Sequence, residues 1–398
     1  MRHSVLIARM AVGVLGAMGF TSVVPFGFAA SDARPEFECV DRPHDVSPPP
    51  TRLAPKIRRK AREYGKTGGA ITPPGSLGMK PLCRTGKVPM QKNVSADITR
   101  KRVEKGNPLL GQDAGREMLQ LEGDARGEFI RRHVRTFEEV YKAKRPAAGR
   151  EAPPAPPGPP GAPACDGVLS FGSCYYYGSA AFSTVADGGG MIASIETPQY
   201  VNSGGSGHSL DELAIQGGEG NGNIIEIGWL VSTEQYGNAN PHIFVFHWKN
   251  WNPTCYDACG WVQWSNTYHP AQDLRSVVGK KVYIGYVLWQ GNWWAWFDNQ
   301  WMGYLPGTEW DGKYTKTSLI QWFGEVASQN GIPPKTDMGN GLFSNAAKAA
   351  SMTALCDVDA KAWVCWYRDR QTVADTVPAY YDIRRVAFGA VRYGGAGE

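Results

Sequence analysis

The chain has 398 residues, and its 42 Lys and Arg against 37 Asp and Glu give a formal net charge of +5 at pH 7. Hydrophobic residues make up 42% of it, which is enough for one large or two ordinary domains and excludes a wholly disordered chain. Residues 31–150 carry a net charge of +11, from 26 basic and 15 acidic residues, whereas residues 151–398 carry −8, from 14 basic and 22 acidic residues. All 14 Trp lie in the second of these segments. This pattern argues against nucleic-acid binding, because the aromatic part of the chain is negatively charged and would repel phosphate.

Residues 1–30 have the pattern of a secretory signal peptide. A basic start precedes an apolar run from Val5 to Phe20, and small residues follow it. A membrane anchor would need about 20 uninterrupted apolar residues, whereas Arg9 interrupts this run. The pattern predicts cleavage between Ala29 and Ala33 and a secreted, extracellular protein with no membrane partner.

Residues 31–150 form a basic segment with one helical pattern near its end. Apolar residues recur there at three- and four-residue spacing, which places them on one face of a helix. They are Phe129, Ile130, Val134, Phe137, Val140 and Tyr141. We interpret the segment as a partly helical propeptide that docks on another part of the chain, with a small independent domain as the alternative.

Residues 151–164 contain a proline-rich stretch. Seven prolines lie between Pro153 and Pro163. Because proline fixes φ and lacks a backbone donor, the stretch predicts an exposed, semi-rigid linker.

Short alternating apolar runs separated by Gly and Asn follow in residues 165–398. The clearest are Ile224 to Val231, Ile243 to Trp248, Val282 to Trp289, Trp293 to Phe297 and Leu319 to Val326, with one more strand expected between Ile383 and Tyr393. Many short strands at this spacing predict an all-β domain, an antiparallel β-sandwich. The Gly-rich stretches Gly188 to Gly190 and Gly217 to Asn223 are interpreted as turns between strands.

The eight cysteines fall into four local pairs, and disulfide bonds are the default interpretation in an exported protein. The pairs are Cys39 with Cys83, Cys165 with Cys174, Cys255 with Cys259, and Cys356 with Cys365. A zinc site would need a second convergent pair near Cys255 and Cys259, which the spacing does not provide. His242 and His247 are an odd number apart on a predicted strand, so they point to opposite faces and no metal site is expected.

Two predicted strands each carry a carboxylate. A period of two puts Ile225, Ile227, Trp229 and Val231 on one face, with Glu226 and Gly228 opposite. It likewise puts Ile320, Trp322 and Val326 together, with Gln321, Phe323 and Glu325 opposite. If the strands share a sheet, Glu226 and Glu325 face one cleft, and the adjacent glycines leave room for a ligand. Two neighbouring carboxylates split their pKa values, so one can activate water while the other protonates a leaving group.

At these residues the sequence resembles the neprosin family of glutamic peptidases, which are secreted prolyl endopeptidases. The resemblance covers about residues 175 to 345 and lies in ordered blocks. They are His208 to Gly218, Ile225 to Val231 followed by Tyr236-Gly237, Cys255 to Gln263, Gly291 to Trp294, Met302 to Pro306, Trp322 to Val326 and Thr336 to Gly341.

The resemblance implies a sandwich of two antiparallel sheets whose catalytic pair corresponds to Glu226 and Glu325. It implies water-mediated peptide hydrolysis without a metal, a cofactor or an acyl-enzyme, next to proline and at acidic pH. Gln321 is a candidate oxyanion donor, and Tyr236, Trp293 and Trp294 are candidate substrate-binding rings, although aromatic residues also fill sandwich cores. Which glutamate is the base stays open.

Charge suggests how the activity is controlled. The +11 segment precedes the −8 domain, so it is expected to cover an acidic cleft as an intramolecular inhibitor, and the linker is expected to be cut by the enzyme itself. The sequence departs from the family pattern at Phe323, where a Gly is expected, and in a long tail after Gly341. The alternative functions are a Trp-rich carbohydrate-binding sandwich and, third, a glycoside hydrolase.

Overall fold

The computed structural model describes part of the chain. The described residues are 35–50, 54–59, 70–92, 165, 167–170, 173–199, 201, 207–218, 222–250, 252–254, 256–257, 259–329, 334–367 and 371–397. The predicted signal peptide (1–30), the predicted helix between Phe129 and Tyr141, and the linker 151–164 lie outside these residues. No helix within the described residues is long and apolar enough to span a bilayer.

Strands account for nearly all of the regular structure. In chain order they are β1 (Phe37–Asp41), β2 (Lys56–Arg59), β3 (Ala70–Ile71), β4 (Lys87–Gln91), β5 (Val168–Ser170), β6 (Ser173–Ser183), β7 (Gly188–Ser194), β8 (His208–Gly217), β9 (Asn223–Val231), β10 (His242–Lys249), β11 (Asn252–Pro253), β12 (Val262–Gln263), β13 (Lys281–Trp289), β14 (Asn292–Phe297), β15 (Gln300–Pro306), β16 (Thr317–Gln329), β17 (Ala350–Asp359), β18 (Val364–Tyr367), β19 (Thr372–Asp375), β20 (Asp382–Ala387) and β21 (Ala390–Gly394). A four-residue helix, α1 (Thr233–Tyr236), and two 3₁₀ turns (Arg275–Val277 and Gly307–Trp310) complete the described elements.

Two large sheets form the predicted sandwich. Within the described residues, eight strands make one sheet in the order β11-β10-β9-β8-β16-β6-β19, with β5 beside β6. Eleven strands make the other in the order β12-β15-β14-β13-β7-β17-β18-β2-β3, with β21 beside β17 and β20 beside β21. The pairs within both sheets are antiparallel except β2 with β18, which is parallel. The all-β, antiparallel fold class is therefore confirmed.

The main core lies between the two sheets and follows the predicted alternation. Ile225, Ile227 and Trp229 of the eight-stranded sheet belong to one buried cluster with Ile284 and Tyr286 of the eleven-stranded sheet. Burying each large apolar side chain contributes about 1.5–3 kcal/mol relative to leaving it exposed. This burial fixes the register, because a slip of one residue would turn the core side chains outward.

The five clearest predicted strands are confirmed, and two other segments differ from their predictions. The expected single strand from Ile383 to Tyr393 is a hairpin, β20 and β21, turning at Gly389, whose φ is 61°. Gly188 to Gly190 begin β7 rather than form a turn. A Cβ at Gly190 would lie 2.7 Å from the Trp296 ring, so this strand needs glycine in order to pack under a large aromatic side chain.

Three predicted disulfides are confirmed. Cys39 bonds to Cys83, Cys165 to Cys174, and Cys356 to Cys365. Cys259 is also disulfide-bonded, while its predicted partner Cys255 lies outside the described residues.

The described residues of the range 35–92, which belong to the predicted propeptide, are built into the sandwich. β2 extends the eleven-stranded sheet beside β18, and its Ile57 is 1% exposed. Leu77 enters the main core between the sheets. The hydrophobic pattern of this segment did not predict strands, because β1 to β4 are only two to five residues long.

Polar contacts hold the same segment. The Asp298 carboxylate accepts hydrogen bonds from Ser76 Oγ (3.0 Å) and from the Leu77 backbone N–H (2.9 Å). Tyr283 donates its hydroxyl proton to the Pro55 carbonyl at 2.9 Å, and Lys280 donates to the Leu77 carbonyl at 3.1 Å. Between described residues, the attachment thus rests on strand pairing, packing and hydrogen bonds, together with the Arg42 and Arg59 guanidinium groups that lie over the Trp264 and Phe388 rings.

Candidate active site

Both predicted glutamates lie on the outer face of the eight-stranded sheet, away from the main core. We call this surface the glutamate face. Its apolar members form a second buried cluster that includes Tyr175, Tyr177, Leu210, Ala214, Ile224, Leu230, Tyr236, Phe244, Phe246, Trp248, Ala271, Phe323 and Ala327. The strands of Glu226 and Glu325 do share a sheet, with β8 between β9 and β16.

The strand register fixes the relative places of three carboxyl groups on this face. Glu226 pairs across β9 and β8 with Ala214. Glu325 pairs across β16 and β8 with Leu210. Glu212, on β8, lies two residues from each of those partners and is therefore the diagonal neighbour of both glutamates. The three carboxyls form an oblique row across three strands.

Glu226 has an indole partner. The Nε1–H of Trp248 on β10 donates a hydrogen bond to Glu226 Oε1 at 2.6 Å, and the Tyr286 hydroxyl donates to the Glu226 backbone carbonyl at 3.2 Å. Desolvation raises the pKa of Glu226 to about 8, the Trp248 hydrogen bond opposes that rise, and the charge of Glu325 adds to it. Glu226 is therefore protonated through the acidic range, although its side chain keeps some exposure.

Glu325 has a different partner. His208 Nε2 lies 2.6 Å from Glu325 Oε1, and both side chains are buried. An imidazole can donate a hydrogen bond from this nitrogen to a carboxylate oxygen, and it can carry positive charge. Burial, followed by the charge of Glu325, raises the pKa of the Tyr177 phenol well above its usual value, so that Tyr177 stays a proton donor beside the carboxylate.

Glu212 is the most buried of the three carboxyl groups. It is 3% exposed, and its Oε1 has no hydrogen-bond partner within the described residues. Burial raises its pKa well above the usual value, and the charges of Glu226, Glu325 and Asp211 raise it further. Its neighbour Asp211 points to the opposite face, where Tyr393 donates its hydroxyl proton to Asp211 Oδ2 at 2.6 Å.

Two of the four predicted binding residues reach the glutamate face. Gln321 pairs with Ala214, in line with Glu226, and is 6% exposed. Tyr236 belongs to the aromatic cluster of this face, but its hydroxyl donates to Asp257 Oδ2 at 3.0 Å, so the ring is fixed in the wall.

Trp293 and Trp294 lie elsewhere. Trp293 is in the main core, where its Nε1 donates to the Tyr314 carbonyl at 3.0 Å. Trp294 packs on Tyr304 in the cluster on the outer face of the eleven-stranded sheet. The structure does not bring either ring to the glutamates, because consecutive residues of β14 point to opposite faces of a sheet that does not carry the glutamates.

The tryptophans as a group do not form an exposed surface. Six of them are fully buried, and the other described tryptophans are buried or only partly exposed. Trp229 and Trp322, predicted to face away from the glutamates, donate their indole protons to the backbone carbonyls of Ser194 and Gly190 in the core. This burial removes the sugar-stacking surface on which the carbohydrate-binding alternative depends within the described residues.

The glycines beside the glutamates have a different role from the expected one. A Cβ at Gly228 would lie 1.8 Å from the Asp211 carbonyl oxygen, and one at Gly324 would lie 2.4 Å from the Tyr393 ring. Both positions are filled by the protein itself. Glycine at these two positions lets neighbouring parts of the protein approach the strand closely. The prediction that these glycines leave room for a ligand is therefore wrong.

Three functional candidates were missed by sequence reasoning: His208, Glu212 and Trp248. The signal for the first two was present, because a period of two along β8 places His208, Leu210 and Glu212 on one face. Trp248 had no such signal, since its contact with Glu226 depends on the pairing of β9 with β10. In the part of the chain that the structure describes, no group of three or more His, Cys, Asp or Glu side chains is placed to hold a metal ion.

Comparisons with known proteins identify a domain. The model of the Neprosin family matches residues 205–396, just under half of the chain and the part that contains all three carboxyls. No curated protein matches the sequence.

Solved structures give only weak similarity. Scytalido-glutamic peptidase with a transition-state-analogue inhibitor is 10% identical, with a TM-score of 0.34 over 56% of this chain and 99% of that one. SCP-B, a member of the Eqolisin family of peptidases, bound to the tripeptide Ala-Ile-His, is 12% identical, with a TM-score of 0.31 over the same shares. The carbohydrate-binding module CBM66 from Bacillus subtilis is 12% identical, with a TM-score of 0.22 over 40% of this chain and 80% of that one. At these scores the similarity supports no further conclusion.

Proposed function

Residues 205–396 form a Neprosin domain, and on this premise we propose that the protein is a secreted glutamic endopeptidase that cleaves peptide bonds next to proline. The domain supports assignment to the glutamic peptidases. The finer proposal depends mainly on one observation, which is that two glutamates on one sheet face have partners of opposite character. Trp248 can only donate to Glu226, whereas His208 can supply positive charge to Glu325.

These partners suggest the roles of the two carboxyls. Glu226, with its pKa raised to about 8, is the acid, and its proton sits on Oε2 because the Trp248 indole donates to Oε1. Glu325 is the base. Its Oε1 is taken by His208, which leaves Oε2 to accept a proton from a bound water.

The reaction then follows general acid–base chemistry. Glu325 removes a proton from water, the resulting hydroxide oxygen bonds to the carbonyl carbon, and the π electron pair of the carbonyl moves to its oxygen. When that pair returns, the C–N bond breaks and the nitrogen takes the proton of Glu226, releasing an amine and a carboxylic acid. Transfer of one proton from Glu325 to Glu226 restores the starting state, so one water is consumed for each bond cut.

The surroundings of the carboxyls suit a proline-containing chain. The aromatic rings of Phe323 and Tyr177 are 5.7 Å apart in an edge-to-face arrangement beside Glu325. Trp248 and Phe246 form a second such pair, 5.5 Å apart, beside Glu226. Apolar rings on both sides of the proposed site offer surfaces against which a pyrrolidine ring can pack. Phe323, noted above as a departure from the family pattern, is part of this wall.

Export and latency belong to the same proposal. The disulfides are consistent with an extracellular protein, and the expected signal peptide gives the route. Phe37 of β1 packs against the aromatic cluster of the glutamate face, with its ring centroid 4.3 Å from that of His269. We propose that the enzyme is made as a zymogen that stays latent until the linker is cut at acidic pH, and that residues 35–92 remain bound to the sandwich afterwards.

The test is to incubate the purified protein with a denatured protein substrate between pH 3 and pH 8 and to identify the cut bonds by mass spectrometry. We expect cuts next to proline in the wild type and a loss of at least 10³-fold in Glu226→Gln and in Glu325→Gln. Glu309→Gln, a change of the same kind on the partly exposed 3₁₀ turn, is the matched control. Parental rates in either active-site variant would disprove the assignment.

A further inference from the structure

We infer that Glu212 is a third active-site group, which donates a hydrogen bond from its neutral carboxyl to the oxyanion formed at the scissile carbonyl. The inference rests on the proposed peptidase function and adds a residue to the proposed pair. It also assigns to Glu212 the role for which the sequence had suggested Gln321.

The first support is the position of Glu212 in the sheet. It is the diagonal neighbour of Glu226 on one side and of Glu325 on the other, and such neighbours are about 7–8 Å apart in a sheet. A substrate carbonyl held between the proposed acid and the proposed base therefore lies over β8. Glu212 is the only carboxyl that β8 directs to this face, since Asp211 is turned into the core.

The second support is the unsatisfied state of the side chain. Glu212 is 97% buried, and its Oε1 has no partner in the described part of the chain. A buried polar group without a partner costs about 1–3 kcal/mol. The other two carboxyls of the row each have a hydrogen-bond partner, Trp248 or His208. An unpartnered group between them suits a site where the substrate supplies the missing partner.

The third support is the protonation state that the surroundings impose. The ionisable groups that act on Glu212 are Glu226, Glu325, Asp211, Tyr177 and Tyr286, and none of them is a cation. His208, four residues away on the same face of β8, is engaged with Glu325. Burial and these neighbours raise the pKa of Glu212 well above its usual value. A carboxyl kept neutral in this way is a hydrogen-bond donor, which a carboxylate cannot be.

The role requires no change of covalent bonds at Glu212. As hydroxide adds to the carbonyl carbon, the carbonyl oxygen gains negative charge, and the Glu212 O–H bond points its proton at that oxygen. The proton stays on Glu212 throughout. Glu325 and Glu226 carry out the two proton transfers, so the balance of the reaction is unchanged.

The experiment compares Glu212→Gln with Glu212→Leu. The amide of Gln is a neutral donor of the same length, whereas Leu fills the space without a donor. We expect kcat to fall less than about tenfold in Glu212→Gln and about 10²–10³-fold in Glu212→Leu, because an oxyanion donor contributes that much to kcat. KM should change little in either variant, since the hydrogen bond forms in the transition state.

A binding measurement separates this role from a structural one. A phosphinate peptide, whose tetrahedral anionic centre imitates the intermediate, should lose affinity for Glu212→Leu by about the same factor as kcat/KM, while a peptide product should bind as before. Equal loss of both ligands, with a lowered unfolding midpoint, would show that Glu212 only supports the fold.

A large loss in Glu212→Gln that matches Glu212→Leu would also overturn the inference, because it would mean that the charged carboxylate is needed. The proposed function is tested separately by Glu226→Gln and Glu325→Gln. If those variants lose activity as expected while Glu212→Leu keeps the parental rate, only the inference about Glu212 fails.

Discussion

The indole nitrogen of Trp248 donates to Glu226 Oε1 across 2.6 Å, so a residue of β10 adjusts the acidity of a glutamate on β9. A hydrogen bond to the ionised form lowers the pKa of a carboxyl. Here it acts against desolvation, and the pKa of Glu226 still reaches about 8. Trp248 therefore limits the rise in this pKa.

Replacing Trp248 by Phe should widen the pH range of activity. Without the donor, the pKa of Glu226 should rise by about one unit, since one unit corresponds to about 1.4 kcal/mol and a hydrogen bond of this kind is worth about that much. Activity that requires protonated Glu226 should then persist to higher pH. The measurement is kcat/KM from pH 3 to pH 9, with Trp366→Phe on β18 as the control. An unchanged or lowered alkaline limb would contradict the assignment of Glu226 as the acid.

His208 should matter through its charge as well as its hydrogen bond. Its Nε2 lies 2.6 Å from Glu325 Oε1. Replacing it by Ala should reduce kcat by about 10- to 100-fold, within the range of a misoriented general base. Replacing it by Gln, which keeps a donor but not the charge, should restore only part of the rate. A wild-type rate in His208→Gln would show that charge plays no part.

Ionisation of Glu226 should lower the free energy of unfolding as the pH rises. Its folded pKa of about 8 lies above the ordinary value of 4.5, so the folded state holds the proton more tightly than the unfolded state does. Its favourable contribution is complete below about pH 4.5 and is lost as the pH rises through about 8.

Glu226→Gln removes that dependence. Compared with the wild type, its free energy of unfolding should be higher at pH 8, by on the order of 1–2 kcal/mol after allowance for partial exposure, and similar at pH 4. Urea unfolding at both pH values measures this. A difference that is larger at pH 4 than at pH 8 would contradict the raised pKa.

Residues 35–92 should stay bound after the linker is cut. The contacts that attach this segment include the pairing of β2 with β18 and the burial of Ile57 and Leu77, which do not depend on protonation. Acidification should therefore lead to cleavage of the linker without release of residues 35–92. A specific protease site placed in the linker of the Glu325→Gln variant allows controlled cutting.

Gel filtration at pH 7 and pH 4 should show the two pieces eluting together. Ile57→Asp should separate them, whereas Met90→Asp, at a position 51% exposed, should not. Separation of the unmodified pieces at both pH values, with the sandwich still folded, would show that the segment behaves as a wholly removable propeptide.

Alternation along single strands was sufficient to predict part of the site. A period of two gave the outward direction of Glu226 and Glu325 and the inward direction of Trp229 and Trp322, since burial of one face decides which residues point inward. The same rule also shows that the adjacent Trp293 and Trp294 cannot both face a substrate.

The rest depended on which strands are neighbours. That β8 separates β9 from β16, and that β10 brings Trp248 to Glu226, are consequences of pairing between segments distant in the chain. No local pattern carries this information. The strands of residues 35–92 were missed for a related reason, because β2 and β3 are short and gain their stability from β18 rather than from their own sequence.

The pairing of β2 with β18 also bears on how the chain folds. Lys56 pairs with Val364, 308 residues later in the sequence. Closing a loop of that size is slow, and proteins dominated by such distant contacts fold slowly. The eleven-stranded sheet cannot be completed until nearly the whole chain has been made, and until then β18 exposes an unpaired edge that other chains can join. The N-terminal segment thus covers that edge, so conditions that delay its docking should favour aggregation over folding.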